Sequence, residues 1–261
     1  MQRQKQTILK NILVPILLFL VFFTSCKKED TVEPLRDVQE QSIADDQSLE
    51  DYLRSHFYNY IDFSDPDFEG AIVFDTIQNE NASKTPLINQ VKKEVIRVLT
   101  SDGDYIDHSL YYLVAREGVG SHPTKVDSTY LSYEGVLMDG TVFDFSNTPV
   151  WFDLTSVVRG FKEGSTKFKS GDFTVNEDNT VDFFGYGQGA LFFSSGLGYF
   201  NRASGSIPSY SPLIFKVDLY GVKQTDHDGD GILSSAEYDN DGDGVPDDTD
   251  EDGIPDYLDA D

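Results

Sequence analysis

Apolar and polar positions alternate with a period of two across much of the segment between residues 110 and 222. The alternation is clearest in residues 129–134 and 213–220, where side chains suited to a buried face occupy every second position. Successive side chains of a β-strand point to opposite faces of the sheet, so this pattern is typical of antiparallel strands that bury one face. The segment is therefore predicted to form an antiparallel sheet.

One short helix is predicted between these two strands. Thr155 or Ser156 can cap a helix that starts near Val157, and Gly171 can end it. A curved antiparallel sheet on one short helix is a stable arrangement, because each layer buries its apolar side against the other. The predicted fold class is α+β.

The segment before this sheet combines a helical pattern with shorter strand-like runs. Apolar residues recur at three- and four-residue spacing from Leu49 to Ile61, which predicts a short amphipathic helix. Residues 71–74 and 91–99 are predicted strands, with a polar turn at residues 79–84 between them. Residues 50–109 are therefore interpreted as an N-terminal extension that adds strands to the sheet.

The chain begins with the pattern of an export signal. A basic leader precedes an apolar run from Ile12 to Phe23, which is too short to span a membrane. The run ends at Cys26 and resembles a bacterial lipoprotein box, which implies cleavage after residue 25 and lipidation of Cys26. An uncleaved anchor helix is the alternative. The charged residues 26–49 that follow show no apolar period and few aromatics and are predicted to be a flexible tether.

Composition narrows the possible partners. The chain has 20 basic and 46 acidic residues and a net charge of −26, so it lacks the Lys and Arg clusters that hold nucleic acid. A single cysteine excludes an internal disulfide, so stability must come from burial of a core. Fourteen Tyr and nineteen Phe predict a core or a groove built on aromatic rings.

Three blocks of sequence occur in the order and spacing of one known family. Residues 133–144 read Tyr-Glu-Gly-Val-Leu-Met-Asp-Gly-Thr-Val-Phe-Asp, and residues 157–164 read Val-Val-Arg-Gly-Phe-Lys-Glu-Gly. Residues 191–215 form the third block. Together they resemble the FK506-binding-protein type of peptidyl-prolyl cis-trans isomerase, and three blocks in order are a far more specific signal than one motif.

This resemblance implies a proline-binding pocket with Asp144 at its rim. The residues carried over are Tyr133, Phe143, Asp144, Val157, Val158, Phe161, Tyr199, Ile207 and Phe215. Phe161 stands where the family usually has Trp at the pocket floor, Val158 where it has Ile, and Val150 where it has Phe. Residues 173–189 are an insertion. The resemblance therefore implies a wider, still apolar pocket with altered ligand affinity.

The chemistry of such a pocket requires no cofactor, nucleophile or proton transfer. Rotation about an X-Pro bond faces a barrier of about 18–20 kcal/mol, because the imide is planar through resonance. Water stabilises the planar, charge-separated imide more than the twisted state, so a dry aromatic pocket lowers the barrier. The resemblance indicates the Tyr199 hydroxyl and the backbone N–H of Ile207 as donors to the substrate carbonyl. Asp144 would orient Tyr133 or bias the local electrostatics.

No rival catalytic arrangement is visible in the sequence. The four histidines, His56, His108, His122 and His227, lie apart in different segments, so no Ser/His/Asp spacing can be argued from them. The glycines between residues 185 and 189 lack the strand and helix context of a dinucleotide fingerprint. A flexible loop is expected there.

The last 36 residues hold fifteen acidic side chains and no Lys or Arg. Their spacing repeats that of EF-hand calcium loops, with acids at alternate positions followed by glycine. The predicted ligands are Asp226, Asp228, Asp230, the Ile232 carbonyl and Glu237 in the first loop; Asp239, Asp241, Asp243, Asp247 and Asp250 in the second; and Asp248, Asp250, Asp252, Asp256 and Asp259 in the third. A solvated acidic tail without a metal is the alternative.

The second and third loops overlap and carry Pro246 and Pro255, so helix-loop-helix hands do not fit between them. The tail resembles thrombospondin type 3 repeats, which implies structural Ca²⁺. Calcium would offset the charge repulsion and convert the tail into a compact stalk. Affinities of about 10⁻⁴–10⁻³ M are expected, as for extracellular modules.

The sequence is interpreted as an isomerase tethered to the bacterial outer membrane through Cys26, on its periplasmic or cell-surface side. Its partners would be proline-containing polypeptides, Ca²⁺ and the membrane. A non-catalytic chaperone of the same fold, or a calcium-dependent adhesion lipoprotein, is the alternative. The predicted division is a signal peptide 1–25, a tether 26–49, an extension 50–109, an isomerase-type domain 110–223 and an acidic calcium-binding tail 224–261.

Overall fold

A computed structural model describes residues 35–100, 102–242 and 244–260. The predicted signal peptide, Cys26, the beginning of the predicted tether and Asp243 lie outside the described residues. Within the described ranges, no helix is both long and apolar enough to cross a bilayer. The helices and strands are α1 (Val38–Ser55), β1 (His56–Tyr58), β2 (Phe74–Thr76), β3 (Lys92–Leu99), β4 (Tyr105–Arg116), β5 (Ser128–Val136), β6 (Val142–Asp153), α2 (Arg159–Ser165), β7 (Asp172–Val175), β8 (Val181–Phe184), β9 (Gly187–Phe193) and β10 (Leu213–Lys223).

A six-stranded antiparallel sheet in the order β3-β4-β9-β10-β5-β6 organises the fold. The two strands with the clearest alternation, β5 and β10, are neighbours in register, with Leu131 opposite Leu219. The predicted α+β class is confirmed. The extension also adds strands as predicted, because β3 pairs with β4 and β4 pairs with β9.

Each face of the sheet carries its own apolar core. On one face, Leu191 and Phe193 pack with Phe161 of α2. On the other, Phe192 packs with Leu49 and Leu53 of α1, both of which are fully buried. Burying one such leucine contributes about 1.5–3 kcal/mol, so helices on both faces stabilise the same strands.

Helix α2 begins at Arg159 and ends at Ser165, so it is shorter than predicted. The expected cap residues Thr155 and Ser156 lie instead in a preceding 3₁₀ turn, where the Thr155 N–H donates to Asp153 Oδ1. Gly160 brings the helix close to the sheet, because a Cβ at this position would overlap the Phe193 ring.

The prediction for residues 38–61 was wrong in its boundaries. Helix α1 begins at Val38, inside the predicted flexible tether, and ends at Ser55 instead of continuing to Ile61. Residues 56–58 form β1, which pairs with β2, and β2 itself starts at Phe74 rather than at residue 71. The first half of α1 buries polar side chains, so an apolar stripe could not predict it.

The insertion at residues 173–189 contains no long flexible loop. Its first part forms the β7–β8 hairpin, and Gly187 and Gly189 lie in β9, where every residue is buried. A Cβ at Gly187 would overlap the Lys169 carbonyl, and one at Gly189 would overlap the Phe168 ring. These glycines therefore allow close approach of neighbouring chain segments instead of providing flexibility.

The acidic tail packs against the domain instead of standing away from it. Tyr238 is 8% exposed, and its hydroxyl accepts a hydrogen bond from the Lys162 ammonium group on α2 at 3.0 Å. His227 Nε2 lies 3.1 Å from Asp153 Oδ2, and His227 Nδ1 lies 2.8 Å from the hydroxyl of the fully buried Ser234. The described residues of the tail therefore lie against α2 and the segment that precedes it.

Candidate functional site: an aromatic pocket and a carboxylate-rich tail

A concave pocket of about 450 Å³ lies between the sheet and α2. Its lining residues are Tyr133, Asp144, Phe152, Ser156, Val157, Val158, Phe161, Tyr199 and Phe215. The volume lies within the range of roughly 300–1,000 Å³ found for small-ligand sites. Asp144 is the single charged residue of this lining, so the pocket is suited to an apolar ligand with a few polar atoms.

Strand alternation places three rings on the same face of the sheet. Tyr133 comes from β5, Phe152 from β6 and Phe215 from β10. The ring centroid of Tyr133 lies 5.4 Å from that of Phe152 and 6.3 Å from that of Phe215. Edge-on and tilted rings at this spacing are favourable aromatic contacts. The walls of the pocket therefore hold one another in place.

Phe161 forms the floor. Its side chain is 4% exposed, and its ring lies 5.0 Å from Phe215 and 6.0 Å from Phe152. Val157 and Val158 enter the lining just before α2 begins. The predicted apolar floor is thus present, and Phe161 reaches it because Gly160 lets α2 pack close to β9.

A hydrogen bond joins the rim to the wall. The Tyr133 hydroxyl donates to Asp144 Oδ2 at 2.7 Å. Burial, together with this hydrogen bond and the negative charge of Asp144, raises the pKa of Tyr133 well above its usual value. Tyr133 therefore stays protonated, and Asp144 holds the direction of its hydroxyl, which is one of the two roles expected for Asp144.

Two of the predicted site residues lie behind the lining. Phe143 packs edge-on against Phe215 at 5.3 Å, so it supports the wall from outside. Ile207 is 6% exposed within the core, and its backbone N–H donates to the Ser204 carbonyl at 2.9 Å. That N–H is therefore already engaged, which corrects its predicted role as a donor to substrate. Tyr199, 38% exposed, has its side chain at the pocket.

Sequence reasoning missed Phe152 and Ser156. Phe152 lies on β6 opposite Thr129, and its side chain points to the pocket face. The predicted departure at Val150 lies outside the pocket, with the side chain 36% exposed. The alternation along β6 could have found Phe152, but register shifts between β5 and β6 obscure which face each residue takes.

The predicted metal ligands form two carboxylate groups in the tail. One oxygen from each of Asp226, Asp228 and Asp230 lies within 4.8 Å of the others, and the same holds for Asp248, Asp250 and Asp252. Burial and the charges of neighbouring aspartates raise the pKa of Glu237. Buried carboxylate oxygens without a hydrogen-bond partner occur in Asp228, Glu237 and Asp248.

A cavity of about 300 Å³ lies between the first and third loops. Its lining residues are Asp230, Ile232, Glu237, Asn240, Thr249, Asp250, Asp256 and Asp259. Both oxygens of Asp256 accept hydrogen bonds from Thr249 at 2.6 Å, which lower its pKa. Both oxygens of Asp226 likewise accept hydrogen bonds, from the N–H groups of Gly229 and Gly231. The backbone N–H and the hydroxyl of Thr249 thus already engage the Asp256 carboxylate.

The second loop does not form a comparable carboxylate group among the described residues. Asp239 Oδ1 accepts from the Gly244 N–H at 3.2 Å, and Asp247 Oδ2 accepts from the Asn240 N–H at 2.7 Å. Asp241 also has an interaction partner, and Asp243 lies outside the described residues. Among the described residues, carboxylate groups therefore form in the first and in the third predicted loop, and the second loop is not described in full.

Residues 120–220 match the family model of the FKBP-type peptidyl-prolyl cis-trans isomerase. The chain is 29% identical over 165 residues to the FKBP-type peptidyl-prolyl cis-trans isomerase FkpA of Aeromonas hydrophila, covering 60% of this chain and 51% of that protein. It is 35% identical over 120 residues to the peptidyl-prolyl cis-trans isomerase Mip of Coxiella burnetii, covering 45% and 46%. The chain thus spans about half the length of these relatives.

Two solved structures are also similar in part. A peptidyl-prolyl cis-trans isomerase from Pseudomonas syringae is 25% identical, with 49% of this chain and 81% of that chain covered and a TM-score of 0.37. FkpA from Escherichia coli is 24% identical, with 70% and 62% covered and a TM-score of 0.41.

Proposed function

Because residues 120–220 form a domain of the FKBP-type peptidyl-prolyl cis-trans isomerase family, we propose that this protein speeds the cis-trans isomerisation of X-Pro bonds in exported polypeptides. The observation that carries the proposal is the ring-lined pocket of about 450 Å³, in which Phe161 forms the floor and Tyr133 and Phe215 form walls. A proline ring fits this apolar surface, while the flanking chain remains at the open rim.

The proposed mechanism is the exclusion of water from a rotating imide. In water the planar imide is stabilised by charge separation between its oxygen and its nitrogen, and this stabilisation is lost in the twisted state. An apolar pocket removes that preference for the planar form and so lowers the barrier. The Tyr199 hydroxyl is the side-chain donor that we assign to the substrate carbonyl. Asp144 acts through its hydrogen bond to Tyr133.

Binding without catalysis is the second candidate. One observation favours it, namely that the Ile207 N–H is bonded to Ser204 and so does not point into the pocket as a free donor. A chaperone of this kind would capture proline segments without accelerating their rotation. Measurement of the rotation rate separates the two functions directly.

We expect the full-length protein to accelerate the isomerisation of a tetrapeptide with a Phe-Pro bond, measured by exchange NMR without an auxiliary protease. Tyr199→Phe should lower kcat/KM by roughly three- to tenfold, because a neutral hydrogen bond contributes about 0.5–1.5 kcal/mol. Tyr105→Phe is the matched control, since Tyr105 lies on β4 outside the pocket.

A wild-type rate equal to that of buffer, in a folded protein that still binds the peptide, would support the binding function and reject the enzyme. Equal effects of Tyr199→Phe and Tyr105→Phe would remove the assigned role of the Tyr199 hydroxyl and leave the isomerase proposal standing.

We further propose that the tail binds Ca²⁺ as a structural ion, through the carboxylates of its first and third loops. The donor set fits, because Ca²⁺ prefers carboxylate and carbonyl oxygens. One buried oxygen of each of Asp228, Glu237 and Asp248 has no hydrogen-bond partner, and burial of such a polar atom is costly without a compensating interaction. Asp226, Asp230, Asp250 and Asp252 would complete the two groups.

Calcium at 10 mM is expected to stabilise the protein against urea by about 1.4–2.7 kcal/mol per occupied site, given the expected affinity of about 10⁻⁴–10⁻³ M. Mg²⁺ at the same ionic strength should stabilise it less, because Mg²⁺ demands a stricter geometry. Asp228→Asn should reduce the calcium effect, whereas Asp178→Asn, in the turn between β7 and β8, should not. If Ca²⁺ and Mg²⁺ stabilise the wild type and both variants by the same amount, the effect is general charge screening and the proposed calcium sites are rejected.

We propose that the protein is exported and held at the outer membrane through acylated Cys26. The support is the leader sequence and its resemblance to a lipoprotein box. Such anchoring would place the pocket where newly exported chains fold. Radiolabelled palmitate on the wild type but not on Cys26→Ala is the expected result, and labelling of both proteins would contradict it.

A further inference from the structure

The loop that carries Tyr199 is held from beneath by a segment outside the family domain. The loop spans residues 194–212, between β9 and β10, and supplies Tyr199 to the pocket and Ile207 to the core behind it. Helix α1, from the N-terminal extension, lies under its first residues. This contact joins residues 150 positions apart in the sequence.

Asp45 makes the central contact. Its side chain is 2% exposed, and its Oδ2 accepts hydrogen bonds from the Ser195 N–H at 2.8 Å and the Ser195 hydroxyl at 2.6 Å. Its Oδ1 accepts from the Gln41 amide at 2.6 Å. Both carboxylate oxygens are thus engaged, and two of the three donors come from one residue of the loop.

Ser195 is hydrogen-bonded to the residues on both sides of Tyr199. Its carbonyl accepts hydrogen bonds from the N–H groups of Gly198 and Phe200, each at 2.9 Å. Because these residues are the immediate neighbours of Tyr199, the backbone position of Tyr199 follows that of Ser195. A displacement of Ser195 would therefore move the hydroxyl that the proposed function assigns to the substrate carbonyl.

The far side of the loop is tied to the segment just before α1. The Arg36 guanidinium lies 4.3 Å from the centroid of the Tyr210 ring, and the Arg36 N–H donates to the Tyr210 hydroxyl at 3.1 Å. Phe200 and Tyr210 have φ values of +48° and +60°, which are strained for residues other than glycine. Strained backbone persists where its surroundings hold it, and here those surroundings include residues before residue 46.

We infer that Asp45 is a positioning residue for the proline pocket, acting through Ser195 to hold Tyr199 in place. The inference rests on the proposed isomerase function for its catalytic consequence, whereas the mechanical consequence is independent of it. It gives the N-terminal helix a part in the site: α1 stabilises the sheet through Leu49 and Leu53 and orients a pocket loop through Asp45.

The test compares Asp45→Ala with Asp46→Ala in the full-length protein. Asp46 lies next to Asp45 on α1, but its carboxylate accepts from the Lys93 ammonium group at 2.9 Å and the Tyr111 hydroxyl at 2.8 Å. Both substitutions remove an anchor of the helix, but only Asp45→Ala removes the anchor of the Tyr199 loop. Two readouts are measured, hydrogen–deuterium exchange of residues 194–212 and kcat/KM on the Phe-Pro tetrapeptide.

Asp45→Ala is expected to speed exchange in residues 194–212 and to lower kcat/KM by roughly tenfold, while Asp46→Ala changes kcat/KM by less than about twofold. Asp45→Asn should recover most of the activity, because its amide oxygen can still accept from both Ser195 donors. If Asp45→Ala fails to fold, the test uses Asp45→Asn and Ser195→Ala. Ser195→Ala loses the hydroxyl bond to Asp45 but keeps the backbone N–H bond. Its exchange in residues 194–212 should therefore be faster than in the wild type but slower than expected for Asp45→Ala.

Exchange and kcat/KM that are the same in Asp45→Ala and Asp46→Ala would overturn the inference and leave Asp45 as a general anchor of the helix. An inactive wild type would instead reject the proposed function, and the exchange of residues 194–212 would still decide whether Asp45 holds the loop.

Discussion

Replacing Phe161 with alanine is expected to reduce the isomerase rate to that of buffer and to lower the free energy of unfolding by about 3–5 kcal/mol. The Phe161 ring is 4% exposed and lies 5.0 Å from Phe215, 6.0 Å from Phe152 and 6.4 Å from Tyr133. Its removal leaves a cavity beneath all three walls and opens the floor to water. Both effects arise from one side chain, because the floor of the pocket is also part of the core.

Phe161→Leu separates these two effects. It retains an apolar floor and most of the buried volume, so it should keep measurable activity and lose less stability than the alanine variant. Phe145→Ala is the control, because Phe145 lies on β6 with 59% of its side chain exposed. The measurements are urea unfolding and exchange NMR of the tetrapeptide. Full activity of a folded Phe161→Ala protein would show that the proline ring binds elsewhere.

Steep loss of stability above pH 10 is the second large effect that we expect. Burial raises the pKa of seven tyrosines; these are Tyr52, Tyr58, Tyr111, Tyr133, Tyr186, Tyr220 and Tyr257. The pKa of both Tyr52 and Tyr186 rises to about 12, against about 10 in an unfolded chain. The folded state therefore retains protons that the unfolded state has released.

This difference in bound protons makes the free energy of unfolding fall as the pH rises above about 10. Below pH 10 both states hold the phenol protons, so these groups do not make stability depend on pH. Between about pH 10 and pH 12 the unfolded state binds fewer protons, and each such phenol lowers the free energy of unfolding by up to about 1.4 kcal/mol per pH unit. Urea unfolding at pH 9, 10, 11 and 12, followed by circular dichroism, measures the decline.

Tyr52→Phe should make this decline shallower, because it removes one of the phenols that must ionise. Tyr60→Phe is the matched control, since the Thr85 N–H donates to the Tyr60 oxygen at 3.3 Å and lowers the pKa of Tyr60. Its removal should not soften the alkaline loss. A free energy of unfolding that is constant from pH 9 to pH 12 would contradict the burial of these hydroxyl groups.

Helix α1 shows where apolar periodicity stops being informative. The stripe that begins at Leu49 correctly indicated a helix, but the helix starts at Val38 because its first half is anchored through buried Gln41, Ser42 and Asp45. Ser42 and Asp45 bond to residues far along the chain, Ser42 to the Asp107 carbonyl and Asp45 to Ser195. A polar residue looks the same in a sequence whether it is solvated or buried against a distant donor.

The glycines near β9 show a second limit of prediction from the sequence. The sequence predicts a flexible loop at Gly187 and Gly189, whereas both lie in a fully buried strand. Glycine occurs both where the chain must move and where another segment must approach closely. Only the positions of the Lys169 carbonyl and the Phe168 ring distinguish the two uses.

By itself, the sequence determined the sheet, the short helix and most of the pocket. The alternation of apolar residues and the order of the family blocks are local patterns, so they can be recognised without knowing which distant segments meet. It also indicated the carboxylate groups of the tail, since their spacing is local. Only the tertiary structure decided that the Ile207 N–H is engaged, that the tail packs on α2 and that Asp45 holds the loop of Tyr199. Each of these contacts depends on which distant segments meet in the folded chain. A polar residue has the same donors and acceptors wherever it lies, so its sequence position alone does not identify its hydrogen-bond partner.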